Sequence, residues 1–337
     1  MKAVEIFAFG NPPDCVRCVE RPDPPPPGPR EVQVRLLAMS INPADLLIME
    51  GLYGVLPELP AVRGAEGVAE IVALGDQVTG LKVGQKVVPF AVECWQEIMT
   101  LKANGLIPLP DGLDLLQAAM LKANPATALV MLSDIVALKT GDWIIQNAAN
   151  SAVCRFVRLI AKRDGIHTIN LVRRAGLESE IEAEGGDVTL VSDGEADIQE
   201  AVLAATGGQR PKLGLDAVGG SATRIMAATV EEGGTVANYG LLSGKPCEID
   251  AKELVFRNVT LRGFWLSPWF AEAGPARIQA VYQRLVGLLA EGHLKVPVEA
   301  TYPLEEAQAA IAHAAQGGRG GKVLFTTAAG RAAGLGV

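Results

Sequence analysis

The chain has 337 residues, a net charge of −8 at neutral pH and an isoelectric point near 5.1. This length is typical of two domains. The acidic balance argues against a general binder of nucleic acid or of anionic membranes, because both need a basic face. The sequence has neither an apolar run of about 18 residues nor a recognisable targeting segment at its start, so we expect a cytoplasmic protein without a membrane span.

The first part of the chain predicts a β-rich domain. The segment "RPDPPPPGPR" (21–30) is a stiff, polyproline-like connector that suits neither sheet nor helix. Short strands with glycine turns follow it, among them "EVQVRLLAMSI", "GVAEIVALG" and "GQKVVPF". Regular short strands of this kind are typical of a compact, barrel-like β domain.

From about residue 122 the pattern changes to alternating strands and helices. The predicted strands are "GDWIIQN", "HTINLVR", "DVTLV", "KLGLDAV" and "GTVANYG". Strands separated by helices predict parallel βαβ units in a doubly wound sheet. One more strand is expected at "VTLRGFWL", then a helix over 275–291 and a closing strand at "GKVLFTT". The small, glycine-rich end "AAGRAAGLGV" predicts a mobile tail.

The turn after the first of these strands, "QNAANSAVC", stands where a dinucleotide-binding fold keeps its glycines. Asn150 and Ser151 can cap the following helix, whose free N–H groups and positive dipole end suit a pyrophosphate. Ala152 adds a methyl group and Cys154 a larger group where glycines allow close approach. Without backbone adjustment, such over-packing costs about 1–3 kcal/mol. The turn therefore leaves open a functional nucleotide site and a site that has been lost.

The end of the next strand favours a nucleotide with a 2′-phosphate. Arg173 and Arg174 stand where an acidic residue would hold the ribose of NAD. Guanidinium groups suit a phosphate through bidentate, charge-assisted hydrogen bonds. Two solvated surface arginines are the alternative, but their position after a βαβ turn favours NADPH over NADH.

Motifs spread from about residue 41 to the C-terminal strand carry a resemblance to a known family. They are "INPADLLIMEGLYGVLPELP", "NPATA" (124–128), "IQNAANS" (145–151), "INLVR" (169–173), "RGFWLS" (262–267) and "GGK" (320–322). With them the chain resembles the medium-chain dehydrogenases/reductases, and among these the mitochondrial-type trans-2-enoyl-thioester reductases. The resemblance implies an α/β fold. It comprises a β-rich, GroES-like catalytic domain (1–121 with 267–337), a Rossmann domain (122–266) and an active site in the cleft between them.

The resemblance also implies a reaction. NADPH would give a hydride to the β-carbon of an enoyl thioester of CoA or an acyl carrier protein, and Tyr53 would protonate the α-carbon. Without the resemblance, Tyr53 would be interpreted as a turn aromatic packed beside Gly54. Trp265 is also expected to line the acyl pocket. The cofactor contacts that the resemblance implies are Asn124, Asn150, Ser151, Ala152, Val153, Arg173, Arg174, Tyr239, Phe264, Trp265 and Lys322.

We expect no metal. Zinc-dependent members of the superfamily need a Cys/His/Glu ligand set with an open position. Their "GHE" segment reads Gly64-Ala65-Glu66 here, and the position of their cysteine, near residues 42–45, holds none. Cys15 and Cys18 have a C-x-x-C spacing, but in an extended stretch their side chains would point to opposite faces.

Two alternative functions stay open, and so does the oligomeric state. The first alternative is an NADPH-dependent quinone or enone reductase, and the second is a nucleotide-binding or interaction protein with little catalysis. The resemblance implies a homodimer joined through Rossmann edge strands, with "NVTLRGFWL" as the candidate edge. An acidic carrier protein would need a basic patch, for which the candidates are Arg257, Arg262, Arg319 and Lys322.

Overall fold

The structure is a computed structural model that describes residues 1–192 and 197–336. It forms two compact units. Unit 1 comprises Met1–Ala123 with the segment that starts at Tyr282, and unit 2 comprises Asn124–Val281. The chain thus returns from unit 2 to unit 1 after residue 281, whereas the sequence predicts this boundary after residue 266. The reason is local to unit 2, where the Trp269 indole and the Arg277 guanidinium both donate hydrogen bonds to Asp134.

The strands follow the chain order. They are β1 (Lys2–Ile6), β2 (Val16–Glu20), β3 (Glu31–Ser40), β4 (Ala61–Val62), β5 (Gly67–Leu74), β6 (Lys86–Pro89), β7 (Ile98–Lys102), β8 (Leu106–Pro108), β9 (Trp143–Gln146), β10 (His167–Val172), β11 (Val188–Val191), β12 (Leu213–Asp216), β13 (Thr235–Asn238), β14 (Thr260–Gly263), β15 (Val298–Pro303) and β16 (Lys322–Thr326).

The α-helices alternate with the later strands. They are α1 (Pro43–Met49), α2 (Leu115–Ala118), α3 (Asn124–Asp134), α4 (Ala152–Asp164), α5 (Glu178–Ala183), α6 (Ile198–Ala205), α7 (Ser221–Thr229), α8 (Ala251–Val255), α9 (Leu266–Glu272), α10 (Gly274–Ala290), α11 (Ala307–Ala315) and α12 (Ala328–Ala332). Among the described residues, none of these helices is both long enough and apolar enough to span a membrane.

Unit 1 is β-rich, as the short-strand pattern predicts. Its larger sheet has the order β15-β16-β3-β5-β6-β8, with β7 also paired to β3, and a smaller sheet has the order β2-β1-β4. Buried side chains of these strands form one core, in which the Trp95 ring packs edge-on against Phe325 with 5.3 Å between the ring centroids. Two register shifts between β3 and β5 bend the larger sheet.

Unit 2 is built on a six-stranded sheet with the order β11-β10-β9-β12-β13-β14, in which every pairing is parallel. Its central strands are short apolar runs buried on both faces, which is typical of parallel sheets covered by helices. The strand order reverses between β9 and β12, and ligands of such folds bind at the carboxyl ends of the strands beside this switch point. The prediction of an α/β fold with a doubly wound parallel sheet is confirmed.

The C-terminal segment is more ordered than its composition predicts. Helix α12 begins after Thr327, whose hydroxyl accepts a hydrogen bond from Gly330 N and donates one to Leu36 O at 2.7 Å. A Cβ on Gly330 would lie 2.0 Å from the Leu37 carbonyl oxygen, so the glycine allows the helix to approach β3 closely. The prediction of a mobile tail is therefore wrong for residues 328–332.

Candidate functional site

The turn between β9 and α4 lies at the carboxyl edge of the unit 2 sheet. Ala148 takes a left-handed conformation with φ of 48°, and its carbonyl accepts a hydrogen bond from Ser151 N at 2.8 Å. Ser151 is the N-cap of α4 and accepts from Cys154 N at 3.3 Å. Asn150 is exposed, whereas Ala152 and Val153 are half-buried. The first N–H groups of a helix have no intrahelical acceptor, so this end suits an anionic group.

Cys154 stands at a position where dinucleotide-binding folds keep a glycine, and polar groups contact its side chain. Its side chain is fully buried, with Sγ 3.2 Å from the Asn147 carbonyl oxygen and 3.3 Å from the Tyr239 hydroxyl. Burial raises the pKa of the Cys154 thiol and also raises the pKa of Tyr239 well above its usual value. Both groups therefore stay protonated at neutral pH and can hydrogen-bond. The over-packing considered for Cys154 is replaced by polar contacts.

A buried carboxylate, Asp216, organises the switch point. Its Oδ1 accepts hydrogen bonds from Asn147 Nδ2 at 2.6 Å, Val218 N at 2.8 Å and Gly219 N at 3.0 Å. Its Oδ2 accepts from Thr223 Oγ1 at 2.6 Å and Asn238 Nδ2 at 3.3 Å. Burial alone would raise the pKa of Asp216, but these donors outweigh it and lower the pKa.

Asn147 completes this network. Its Oδ1 accepts a hydrogen bond from Ala217 N at 2.8 Å, while its Nδ2 donates to Asp216. The turn after β9 is thereby tied to the end of β12, and Asn238 ties both to the end of β13. The network fixes the relative positions of three strand ends that border the candidate nucleotide site.

Arg173 and Arg174 directly follow β10, and both side chains are exposed. Strand β10 pairs in parallel with β9, with Asn170 opposite Gln146, so the arginines and the α4 turn lie at the same sheet edge. Tyr239 follows β13 and Phe264 follows β14, and Phe264 N donates to Asn238 O at 2.8 Å. These residues border one edge of unit 2.

The remaining predicted contacts in unit 2 lie at other elements. Asn124 is the first residue of α3 and is half-buried. Trp265 is the N-cap of α9 and is 38% exposed. The described structure therefore places both on unit 2, with Trp265 directly after the carboxyl end of β14.

Tyr53 belongs to unit 1 and lies in the loop that follows α1. Its ring is half-buried and packs against the unit 1 core, whereas its neighbours Leu52 and Val55 are each 65% exposed. Helix α1 is fixed at its start by a capping box in which Asp45 accepts from Asn42 N at 2.8 Å. The loop that carries Tyr53 therefore leaves a well-anchored helix.

Before α1 the chain enters a buried network centred on Glu66. Glu66 Oε1 accepts from Ser40 Oγ at 2.6 Å and from Asn42 Nδ2 at 2.9 Å, and its Oε2 accepts from Ala123 N at 2.8 Å. Lys122 crosses the same region, and its ammonium donates to the carbonyl oxygens of Ala65 at 2.7 Å and Ala91 at 2.6 Å. Burial lowers the pKa of Lys122.

Lys322, a predicted cofactor contact, lies inside this network. Its side chain is 8% exposed, and its ammonium donates to Asn42 Oδ1 at 2.6 Å and Ile41 O at 3.1 Å. Burial lowers the pKa of Lys322 to about 8, against the opposing effect of Glu66 and Asp45. Burial likewise raises the pKa of Asp45 to about 6, although hydrogen bonds and Lys322 oppose the shift. Lys322 therefore anchors the start of α1.

Comparisons with known proteins agree with this architecture. Residues 28–111 match the alcohol dehydrogenase GroES-like domain, and residues 187–324 match the zinc-binding dehydrogenase family. The mitochondrial enoyl-[acyl-carrier-protein] reductase of Homo sapiens is 36% identical over 287 residues, which cover 83% of this chain and 77% of the relative. The chain belongs to the enoyl-acyl-carrier-protein reductase family.

Solved structures of this family and of its neighbours have the same fold. The Etr1p complex with NADP and crotonyl-CoA has a TM-score of 0.85 at 26% identity and covers 96% of this chain and 99% of its own. Etr1p is an enoyl thioester reductase of Candida tropicalis. A quinone oxidoreductase of Pseudomonas syringae has a TM-score of 0.84 at 27% identity, with the same coverage of both chains. Medium-chain dehydrogenases/reductases are thus confirmed as the wider group.

The comparisons also correct the expected location. The enoyl-acyl-carrier-protein reductases of Homo sapiens and Arabidopsis thaliana, at 36% and 34% identity, are both named as mitochondrial proteins. The prediction of a cytoplasmic location is therefore wrong.

The residues at the family's zinc position do not fit a metal ion. The Glu66 oxygens are taken by donors of the chain, and the Asp45 oxygens accept from Asn42 N and Ala65 N. Lys122 and Lys322 place two ammonium groups around the same carboxylates. Within the described ranges, no group of three or more His, Cys, Asp or Glu side chains could hold a metal ion.

Three of the four candidate residues for a basic patch are engaged in other contacts. Lys322 is buried, and Arg257 donates to backbone carbonyls of residues 227, 228 and 230 and pairs with Glu253. Arg319 donates to the carbonyl oxygens of Gln316 and Gly321. Arg257 thus holds the end of α7 and Arg319 its own loop, and Arg262 is the exposed member of the set.

Sequence reasoning missed Asp216, Asn147 and Glu66. Asp216 ends a predicted strand directly before "AVGG", and a carboxylate at a strand end beside the switch point is a signal that could have been used. In the sequence, Glu66 is recognisable only as the remaining residue of the metal-site segment at 64–66. Its partners come from distant parts of the chain, so no local pattern identifies them.

Proposed function

We propose that this chain reduces the 2,3 double bond of trans-2-enoyl thioesters with NADPH. The observation that carries the proposal is the 36% identity to an enoyl-acyl-carrier-protein reductase over 83% of this chain. The solved Etr1p complex contains NADP and crotonyl-CoA, which supports both the cofactor and the thioester class. The capped α4 turn of unit 2 supplies a matching place for a pyrophosphate.

Unit 2 would hold the cofactor through three features. The first N–H groups of α4 face the pyrophosphate, with Asn150, Ser151, Ala152 and Val153 around it. Arg173 and Arg174, exposed at the same sheet edge, bind the 2′-phosphate through charge-assisted hydrogen bonds. Asn124, Tyr239, Phe264 and Trp265 complete the proposed contacts of unit 2. Lys322 lies buried in unit 1, where it donates to Asn42 and Ile41, and as a cofactor contact it stays a prediction from the family resemblance. When bound, NADPH supplies the hydride that goes to the β-carbon of the enoyl thioester.

Tyr53 would supply the proton. Hydride addition leaves an enolate on the thioester, and a phenol within reach of the α-carbon protonates it, so that one hydride and one proton saturate the double bond. Positioned acids of this kind contribute about 10²- to 10⁴-fold to a rate. The anchored α1 helix gives the Tyr53 loop a fixed origin, which supports such a role.

The test is Tyr53→Phe, assayed with crotonyl-CoA. We expect kcat to fall about 100-fold or more while the Kd for NADPH stays unchanged. Tyr302→Phe is the matched control, because Tyr302 is also a half-buried tyrosine of unit 1 but hydrogen-bonds to His313. Full activity of Tyr53→Phe would remove Tyr53 from the mechanism.

A quinone or enone acceptor is the second candidate. The 27% identity and TM-score of 0.84 to a quinone oxidoreductase favour it, since the hydride chemistry is the same. NADPH oxidation with a free quinone and none with an enoyl thioester would select it. NADPH binding without turnover on either acceptor would instead favour a nucleotide-binding protein with little catalysis.

We propose that the chain forms a homodimer through β14. This strand ends the unit 2 sheet and pairs with β13 on one side, and Thr260, Arg262 and Gly263 are exposed. Phe256, in the segment that leads into the strand, is 80% exposed. Etr1p forms a heterodimer with Etr2p. Light scattering should give twice the chain mass. Gly263→Pro should reduce it to one chain mass: Thr260 N and Phe264 N donate on the β13 side, so the alternate Gly263 N–H faces the open edge, where proline cannot donate to an added strand. A monomeric wild type would contradict the proposal.

A further inference from the structure

The α4 turn lacks glycines, yet its Ala149 peptide groups are held on both sides. Ala149 N donates to Leu171 O, at the end of β10, at 3.2 Å. Ala149 O accepts a hydrogen bond from Arg158 Nη1. Ala149 is fully buried, so this carbonyl is directed into unit 2 rather than to solvent at the start of α4.

Arg158 is an unusual residue for this place. It lies on α4 seven residues after the Ser151 cap, about two helical turns along the same face, and its side chain is fully buried. Its second guanidinium nitrogen pairs with Glu184, directly after α5, whose side chain is 21% exposed. Burial lowers the pKa of Arg158 to about 10, which leaves it charged at neutral pH.

A buried ion pair is a poor source of stability, because taking both charges out of water offsets most of their attraction. The Arg158 Nε is also buried without a hydrogen-bond partner among the described residues. An apolar side chain would suit the same space on α4. The contact that distinguishes Arg158 from such a side chain is its hydrogen bond to the turn.

We infer that Arg158, held by Glu184, is a positioning residue for the cofactor turn and replaces the conformational control that glycines exert in other dinucleotide sites. By capturing the Ala149 carbonyl, it keeps a negative dipole end away from the place of the pyrophosphate. This inference rests on the proposed function, since it presumes that the turn binds a dinucleotide.

Arg155 offers a matched control. It lies one turn earlier on α4, and its side chain is 14% exposed. Like Arg158, it pairs with Glu184, and it also reaches Glu180. The hydrogen bonds of Arg155 go to these two carboxylates and not to the turn. Removing Arg155 therefore disturbs the same ion-pair cluster without releasing Ala149.

The experiment is calorimetric titration of purified protein with NADPH and with NADH, together with thermal unfolding. The variants are Arg158→Leu, Arg158→Lys, Arg155→Leu and the double variant Arg158→Leu/Glu184→Leu. In Arg158→Leu, Glu184 keeps its pair with Arg155; the double variant also removes the Glu184 carboxylate, so that no carboxylate faces the new leucine, and it should fold. We expect it to bind NADPH about tenfold or more weakly, since the turn loses a charge-assisted hydrogen bond.

The comparison of NADPH with NADH separates the effect of Arg158 from that of Arg173 and Arg174, which follow β10. Loss of Arg158 should weaken NADPH and NADH by the same factor, because both share the pyrophosphate. Arg155→Leu should bind both as the wild type does. Arg158→Lys should recover part of the affinity, since lysine keeps the charge and one donor.

Two results would overturn the inference. One is a folded double variant with wild-type affinity for NADPH, and the other is an equal loss of affinity in Arg155→Leu. Failure of the wild type to bind either nucleotide would overturn the proposed function instead, so the two failures are distinguishable.

Discussion

Replacing Asp216 by asparagine should destabilise unit 2. Asp216 is fully buried and accepts five hydrogen bonds from the ends of three strands and from α7. Asp216→Asn keeps the size of the side chain and one acceptor oxygen. The second oxygen becomes an amide nitrogen, which faces the donor Asn238 Nδ2 at the 3.3 Å position.

The magnitude follows from these contacts. Three bonds to the retained oxygen change from charge-assisted to neutral, each weaker by roughly 1 kcal/mol. The Asn238 amide loses the Oδ2 atom as its acceptor, which costs a further ~1 kcal/mol or more. The Thr223 hydroxyl can turn and accept, and the lost charge no longer needs desolvation, which offsets part of the sum. We expect the free energy of unfolding to fall by about 3 kcal/mol.

Urea unfolding followed by tryptophan fluorescence measures this, because Trp143, Trp265 and Trp269 lie in unit 2 and only Trp95 lies in unit 1. With a denaturant slope of about 3 kcal/mol per molar, the midpoint should fall by roughly 1 M. Asp142→Asn, at the amino end of the same sheet, is the control and should cost less than about 1 kcal/mol, since it pairs with the partly exposed Lys212.

The pH dependence gives a second check. The pKa of Asp216 is lowered in the folded chain, so its stabilising effect is present above the unfolded pKa and is lost as the pH falls through the folded pKa. The difference in the free energy of unfolding between wild type and Asp216→Asn should therefore become smaller in acid. The reasoning would be refuted if the free energy of unfolding of Asp216→Asn lay within about 0.5 kcal/mol of the wild-type value at neutral pH, because surface substitutions produce changes of that size.

Three further predictions concern single positions. Gly64→Ala should destabilise unit 1, because its Cβ would lie 2.4 Å from the Trp95 ring at a φ of +113°; an unchanged urea midpoint would contradict this. A thiol reagent should label Cys247 first in the native chain, since it is exposed while burial raises the pKa of Cys94 to about 12; Cys247→Ser should abolish the fast phase. Because burial lowers the pKa of Lys322 to about 8, the unfolded chain binds this proton more tightly, so the free energy of unfolding of the wild type relative to that of Lys322→Met should rise between pH 8 and 10.5.

The parallel sheet could be predicted because its strands are local signals. Each of β9 to β13 is a short apolar run bounded by a turn and followed by a helix, and Arg173 follows its strand in the sequence as it does in space. The position of the α4 turn at the carboxyl edge follows from the same pattern.

The networks that shape the site could not be predicted in this way. Lys322 is bound by Asn42, 280 residues away, so its burial depends on the pairing of β16 with β3 and not on any local pattern. Arg158 lies on a helix face that reads as amphipathic, and nothing in its sequence neighbours indicates that Glu184 and the Ala149 carbonyl will enclose it. The order of α12 likewise depends on the close approach of Gly330 to β3.

The most direct test of the proposed function is NADPH oxidation by the purified chain with crotonyl-CoA, with mass spectrometry of the product and a free quinone as the comparison acceptor. The proposal predicts that NADPH is consumed only when the enoyl thioester is present, and that one saturated thioester forms for each NADPH oxidised. Oxidation with the quinone alone, with the enoyl thioester recovered unchanged, would contradict it.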